Sequence, residues 1–345
     1  MQSNINRYSA ATAKVKVMKS HLLQKHDYNE LLSKPCVSDI AVYLKHSTEY
    51  GQDMAELSEH TVHRSELERM LRHASERGFE RLCHFLQHSD KRFLRIYVLE
   101  SEIRFIKQII RITLLNKLTV SDITSNKYYL KYYSFNPHKL AAAKTITEFC
   151  DALRDTEYCN ILQPFIHSDS DVDLFMTEMA LDVYFYKTLW RTVKKQLSGK
   201  EQTLVKRTFG SELDMLNIMW IVRCKKSFDV PKEIIYSFIL SHRYRLSKAQ
   251  LVNMVEAENI EQITDQLGKT PYSRLLGGDS EYFEQIYQEI SSGILHKSAR
   301  FNDFSIIQVL RYLRLKDIEI GNLVRIIEAV RYEVDREEIG KYLRL

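Results

Sequence analysis

Four groupings of polar side chains in this chain have the types and spacing that chemistry uses. Asp169-Ser170-Asp171-Val172-Asp173 alternates acids as the start of a calcium loop does. Leu174, however, stands where such a loop needs a glycine for its sharp turn, and Ala180 where it needs a bidentate glutamate. The segment therefore reads as a helix start, with Ser170 or Asp171 as the cap and the remaining acids favouring the positive helix end. His84/His88 and His60/His63 are paired at helical steps. Zinc needs three or four convergent ligands, and nothing in the spacing brings these pairs together, so they read as exposed or cross-helix hydrogen-bonded histidines.

Asp214/Asn217 and Glu319/Asn322 form the fourth grouping, an acid and an amide three positions apart on otherwise apolar stretches. Such a pair suits acid–base work or metal binding. Its duplication at corresponding positions points instead to scaffolding, with a buried asparagine hydrogen-bonded to a neighbouring helix end. G-x-x-x-x-G-K-[ST], G-x-G-x-x-G, H-E-x-x-H and G-x-S-x-G are all absent from the sequence. No catalytic, cofactor-binding or metal-binding residue is assigned.

The duplication is part of a wider repeat. Thr48-Glu-Tyr50, Thr156-Glu-Tyr158 and Thr270-Pro-Tyr272 recur with an apolar residue four positions on, at Met54, Leu162 and Leu276. The tyrosines lie 108 and 114 residues apart. A second marker, an acid followed three positions later by an apolar run, recurs at Glu102/Phe105, Asp214/Asn217 and Glu319/Asn322, at intervals of 112 and 105. One shared period divides the chain into three helical repeat units, 1–124, 125–236 and 237–345. Each Thr-x-Tyr reads as a structural corner, in which a hydroxyl ties a turn and a ring fills the core.

Helices must position these residues, because the chain has little else to build with. It holds 10 Gly and 5 Pro in 345 residues, where average usage gives about 24 and about 17. That scarcity argues against Gly-rich phosphate loops and turn-rich β folds. The fold class is all-α. Apolar residues at three- and four-residue steps mark a central helix in each unit: Ile103, Ile106 and Ile110; Leu213, Leu216, Trp220 and Ile221; Ile320, Leu323, Val324 and Ile327. Ser89-Asp90, Ser198-Gly199 and Gly277-Gly278 read as breaks between helices, and Asp229 as an N-cap ahead of Pro231.

Fifty basic and 45 acidic residues interleave without a basic block, so a nucleic-acid partner is not expected. The aromatic run Tyr128-Tyr-Leu-Lys-Tyr-Tyr-Ser-Phe135 could stack single-stranded bases, but it reads as an amphipathic linker between the first two units. Five scattered cysteines without C-x-x-C fit a reducing, cytosolic compartment. No apolar stretch approaches the length of a membrane span, and the polar start is no signal peptide.

Laid out in this order, the residues resemble a known family. Tyr8-Ser-Ala-Ala-Thr-Ala-Lys-Val-Lys-Val-Met18, Tyr28-Asn-Glu-Leu-Leu32 and Leu44-Lys-His-Ser-Thr-Glu-Tyr50 are similar to the opening of the central-stalk C subunits of bacterial and archaeal V/A-type ATPases, a family related to the d subunit of eukaryotic V-ATPases. Asp214 to Lys225 and Glu319 to Glu328 resemble the same family. Phe105 stands where the other two units have asparagine, and Gly pairs expected near Phe135-Asn-Pro-His138 and Ser241-His-Arg-Tyr244 are missing.

The resemblance implies a funnel of three helical bundles about a pseudo-threefold axis. It further implies a non-catalytic rotor component without cofactors, a socket holding the shaft made by the D and F subunits on one face and resting on the membrane rotor ring of proteolipids on the other. Its place would be the cytoplasmic side of the membrane, peripheral, reached through the ATPase complex. His242, Arg243, Tyr244 and Arg245 are candidate partner-interface residues, since exposed Arg and Tyr commonly anchor interfaces. A helical-repeat adaptor unrelated to rotary ATPases has the same composition, although helical solenoids usually repeat every 20–50 residues.

Overall fold

The structure is a computed structural model that describes residues 2–55, 62–115, 132–168, 171–227, 230–273, 292–334, 338–340 and 343. It is all-helical apart from a small antiparallel ribbon of β1 (Ile166–Ser168) and β2 (Asp171–Val172). Leu276, His60, Asp229, Gly277-Gly278 and residues 128–131 lie outside the described residues.

Two compact units divide the chain, one of residues 1–159 with 304–345, the other of residues 160–303. The first contains α1 (Gln2–Ser20), α2 (Lys25–Ser33), α3 (Val37–Ser47), α4 (Arg64–His84) and α5 (His88–Leu115). The short helices α6 (Pro137–Ala141) and α7 (Ile146–Ala152) follow, α8 (Glu157–Leu162) spans the boundary at 159/160, and α14 (Ile306–Arg331) completes the unit. Although α14 is the last long helix described, it packs against α1, α2, α3 and α4. Its Ile320, Leu323, Ile326 and Ile327 share one core with Leu31, Ile40, Leu44 and Tyr50. The two ends of the sequence thus build a single hydrophobic centre.

The second unit contains α9 (Leu174–Gln196), α10 (Gly199–Ser227), α11 (Lys232–Phe238), α12 (Lys248–Glu256) and α13 (Ile260–Gly268), with a further helical stretch over 292–300. Helix α10 is the buried axis of its core: Leu213, Met215, Leu216, Ile218, Met219, Trp220 and Ile221 are all at most 8% exposed. A helix apolar on most of its circumference needs neighbours all round, and α9, α11, α12 and α13 supply them.

Local signals set the helix starts. Asn136 caps α6 with Pro137 at the first helical position, Thr145 caps α7, Asn259 caps α13 and Ser305 caps α14. Ser247 and Gln250 form a reciprocal capping box on α12. The cap of α9 is Asp173, whose carboxylate accepts the Met176 N–H at 3.0 Å. This corrects the expectation of Ser170 or Asp171, since Asp171 belongs to β2 and Ser170 lies outside the described residues. Ser89-Asp90 is not a break either: both residues lie inside α5, and the chain turns at 85–87. Asp90 is fully buried there, gripped by Arg7 at 2.7 and 2.9 Å and by the Tyr8 hydroxyl at 2.9 Å. A helix start with an acid in its first turn can continue straight through such a pair because the positive end of α5 also favours the carboxylate.

Candidate functional site

Three buried carboxylates carry the main polar construction, and each closes the same kind of clamp. Asp214 of α10 has no exposed surface. Its Oδ1 accepts the Tyr244 N–H at 3.1 Å, and its Oδ2 accepts the N–H groups of Arg245 and Leu246 at 2.6 and 3.1 Å. The Tyr272 hydroxyl donates to the same oxygen at 2.9 Å. Glu319 of α14, 2% exposed, accepts the Leu23 N–H at 2.5 Å, the Tyr50 hydroxyl at 2.6 Å and the Lys316 ammonium at 2.7 Å. Glu102 of α5 accepts the Ser134 N–H at 2.5 Å and the Tyr158 hydroxyl. In each case a carboxylate on a long helix ties a loop backbone and a corner tyrosine.

Burial holds the Glu102 carboxyl above the usual range, and the bonds from Tyr158 and Ser134, which favour the ionised form, offset only part of that rise. The Tyr272 phenol is pushed well above its ordinary value, by burial first and then by the charge of Asp214. The Tyr272 phenol therefore stays a protonated donor at neutral pH. A buried carboxylate held by several fixed donors is a structural tie, because its oxygens are already engaged by the fold.

The Thr-x-Tyr corners behave as read from the sequence. Thr48 Oγ1 accepts the Tyr50 N–H at 3.2 Å and donates to the Leu44 carbonyl at 2.5 Å. Thr270 repeats both bonds, at 3.1 Å from the Tyr272 N–H and 2.7 Å to the Leu267 carbonyl. Thr156 donates to the Leu153 carbonyl at 2.7 Å. The three tyrosines are 2–3% exposed. What sequence reasoning missed is that the two repeated markers are partners. Glu102 to Tyr158 and Asp214 to Tyr272 span 56 and 58 residues, an interval that was available as a signal.

Asn217 is the amide that brackets a helix end: it donates to the Leu240 carbonyl at 3.1 Å and accepts the Leu240 N–H at 2.9 Å. Asn322 instead accepts from Arg325 and hydrogen-bonds the Tyr28 hydroxyl. Phe105, which replaces the amide, stacks on Phe135 at 6.0 Å and meets Tyr133 at 5.8 Å. Thus Tyr133 and Phe135 of the aromatic run belong to a core cluster that also holds Tyr158. His84 closes α4 and His88 opens α5, so they do not share a helix face. Among the described residues no three His, Cys, Asp or Glu side chains gather in a metal-binding arrangement.

The candidate interface residues His242, Arg243, Tyr244 and Arg245 occupy the loop between α11 and α12, pinned by Asp214 beneath it. His242 packs against Trp190 with ring centres 4.8 Å apart, and its imidazole is held below its ordinary pKa by burial and by the nearby Lys194 and Lys206. Tyr244 crosses α10 at Gly210, where a Cβ would lie 2.8 Å from the tyrosine Cβ. Arg243, Tyr244 and Arg245 are exposed.

An all-helical chain with three tyrosine–carboxylate clamps at one period belongs to the ATP synthase (C/AC39) subunit family, which residues 11–342 match. It is similar to the C subunit of the A-type ATP synthase of Methanosarcina acetivorans, 26% identical over 92% of this chain and 87% of that protein. The corresponding C subunits of Methanocaldococcus jannaschii and Thermococcus kodakarensis are each 24% identical over 97% of this chain, and 86% and 90% of their own lengths. No helix among the described residues is long and apolar enough to cross a membrane.

Proposed function

We propose that the chain is a non-catalytic central-stalk component of a V/A-type ATPase, a rigid socket that couples the shaft made by the D and F subunits to the membrane rotor ring during ATP-driven ion transport or ATP synthesis. Family membership and relatives that are C subunits of A-type ATP synthases support this reading. The observation that carries it is the threefold clamp: each buried carboxylate ties a loop to a long helix, so the loops resist displacement. A torque-bearing connector needs that stiffness and needs no catalytic group. Its location would be the cytoplasmic side of the membrane, held through the complex.

The funnel of three bundles about a pseudo-threefold axis belongs to the same proposal. In the frame that the clamps favour, each repeat runs from a carboxylate-bearing helix to the tyrosine corner that follows: α5 to α8, α10 to α13, and α14 joined with α1 to α3. Each clamp then lies within a repeat, whereas the sequence segments 1–124, 125–236 and 237–345 place acid and tyrosine in successive segments. The test is purification of the tagged chain from its native host in mild detergent. Co-purification of the nucleotide-binding subunits, the shaft and a multi-span ring protein is the expected result, and recovery of the chain by itself from cells with intact ATPase would refute it.

A further inference from the structure

We infer that the α11–α12 loop, residues 241–247, is a prebuilt cationic docking element whose occupant is an acidic segment of a partner protein; this rests on the stalk reading above. Three observations converge on it. First, the loop is held from below along its length. Asp214 takes three consecutive backbone N–H groups, Asn217 brackets Leu240 at the loop's start, and the Ser247–Gln250 box fixes its end.

Second, the side chains left outside are of one sign. Arg243 and Arg245 are exposed and form no ion pair with a described residue, and Lys194 and Lys206 stand close enough to lower the basicity of His242. Counting the buried charge of Asp214 against these four cations leaves three net positive charges on this small surface. Third, Gly210 lets the loop lie directly on α10, so the arginines project from a fixed base.

Fixed spacing is what selects a protein occupant. Arginine forks match carboxylates in a defined geometry, and a preordered loop loses little freedom on binding. A fluid anionic bilayer does not reward such spacing, and at about fivefold per cation near a membrane surface four cations give only weak attachment. Tyr244 between the two arginines, with the Arg245 guanidinium 5.5 Å from its ring centre, adds the aromatic contact that protein interfaces favour.

The experiment compares wild type with R243E/R245E and the milder R243Q/R245Q in the detergent-solubilised complex from the native host, reading the dissociation rate of the chain against salt. Both variants leave the backbone donors to Asp214 intact, and matching thermal unfolding establishes that they are folded. The expected outcome is dissociation faster by about tenfold for the reversal at low salt, from two exposed pairs of up to about fivefold each. The neutral variant should be intermediate, with the differences shrinking as salt screens them. Wild-type release rates in both variants, while the wild-type chain is retained, overturn the docking element and leave the stalk reading standing. A wild-type chain absent from the complex overturns both. Charge-dependent binding to vesicles of phosphatidylserine and phosphatidylcholine, or to a 20-base-pair duplex, with unchanged retention in the complex, overturns a protein occupant.

Discussion

Tyr272 donates to Asp214 inside a core that water does not reach, so removing one hydroxyl leaves a buried anion short of a partner. Hydrogen bonds to charged groups contribute roughly 1.5–3 kcal/mol, and Y272F is expected to lose about that much in urea denaturation. Y158F should behave alike at Glu102; a loss below about 0.5 kcal/mol there would show that the clamp at α5 carries no weight. D214A should cost more than Y272F, because it strands the N–H groups of Tyr244, Arg245 and Leu246 together. Asp317 gives a different signature. Partly buried on α14, with Glu100 and Arg104 of α5 and Arg314 around it, its carboxyl is pushed up to about 6, mainly by burial. The folded form keeps this proton to higher pH than the unfolded form, whose value is 3.8. Its contribution to stability therefore falls as pH rises from about 4 to about 6. D317N removes that loss, so its melting temperature should exceed the wild type's by a margin that grows between pH 4.5 and 7. A margin independent of pH would assign Asp317 an ordinary titration.

Between elements, close approach decides more than propensity. Gly210 sits in α10, where alanine improves helix propensity by up to about 1 kcal/mol. The added methyl would meet the Tyr244 Cβ at 2.8 Å, and Tyr244 cannot retreat without surrendering its N–H bond to Asp214. Overpacking costs about 1–3 kcal/mol, so G210A is expected to be destabilising on balance, and Trp190 fluorescence should shift because His242 rests on that ring. Unchanged stability and emission would mean the loop yields freely. The same contact explains what the sequence could convey. Helical class, the buried faces of α10 and α14 and the Thr-x-Tyr corners were legible because three- and four-residue steps and short capping motifs are local. The clamps were not, since a carboxylate on one helix and a tyrosine 56 or 58 residues on have no local signature, and only the coincidence of two periods hints at the pairing. Capping by Asp173 was missed for a simpler reason: three acids in a row of five compete, and the strand pairing of Ile166 with Val172 sets which one precedes the helix.

At the scale of the whole chain, the last long helix completes the first core. Ile320, Leu323, Ile326 and Ile327 of α14 are at most 2% exposed and face α2, α3 and the Tyr50 corner, while Glu319 holds the Leu23 N–H and the Tyr50 hydroxyl. Truncating at 303 would uncover that core and strip both donors of their acceptor. Loss of four buried aliphatic side chains, at about 2–5 kcal/mol for each large-to-alanine change, is comparable to the whole of the roughly 5–15 kcal/mol that a domain commonly has in reserve. The truncated chain is therefore expected to lose protection from hydrogen exchange throughout α1 to α4. In contrast, α10 should stay protected, since its core is drawn from residues 176–272. Supplying residues 304–345 as a separate peptide should restore protection in α1 to α4, because the missing interactions are non-covalent. Protection of α1 to α4 that survives truncation would mean that these helices hold a core of their own, and that α14 only covers it.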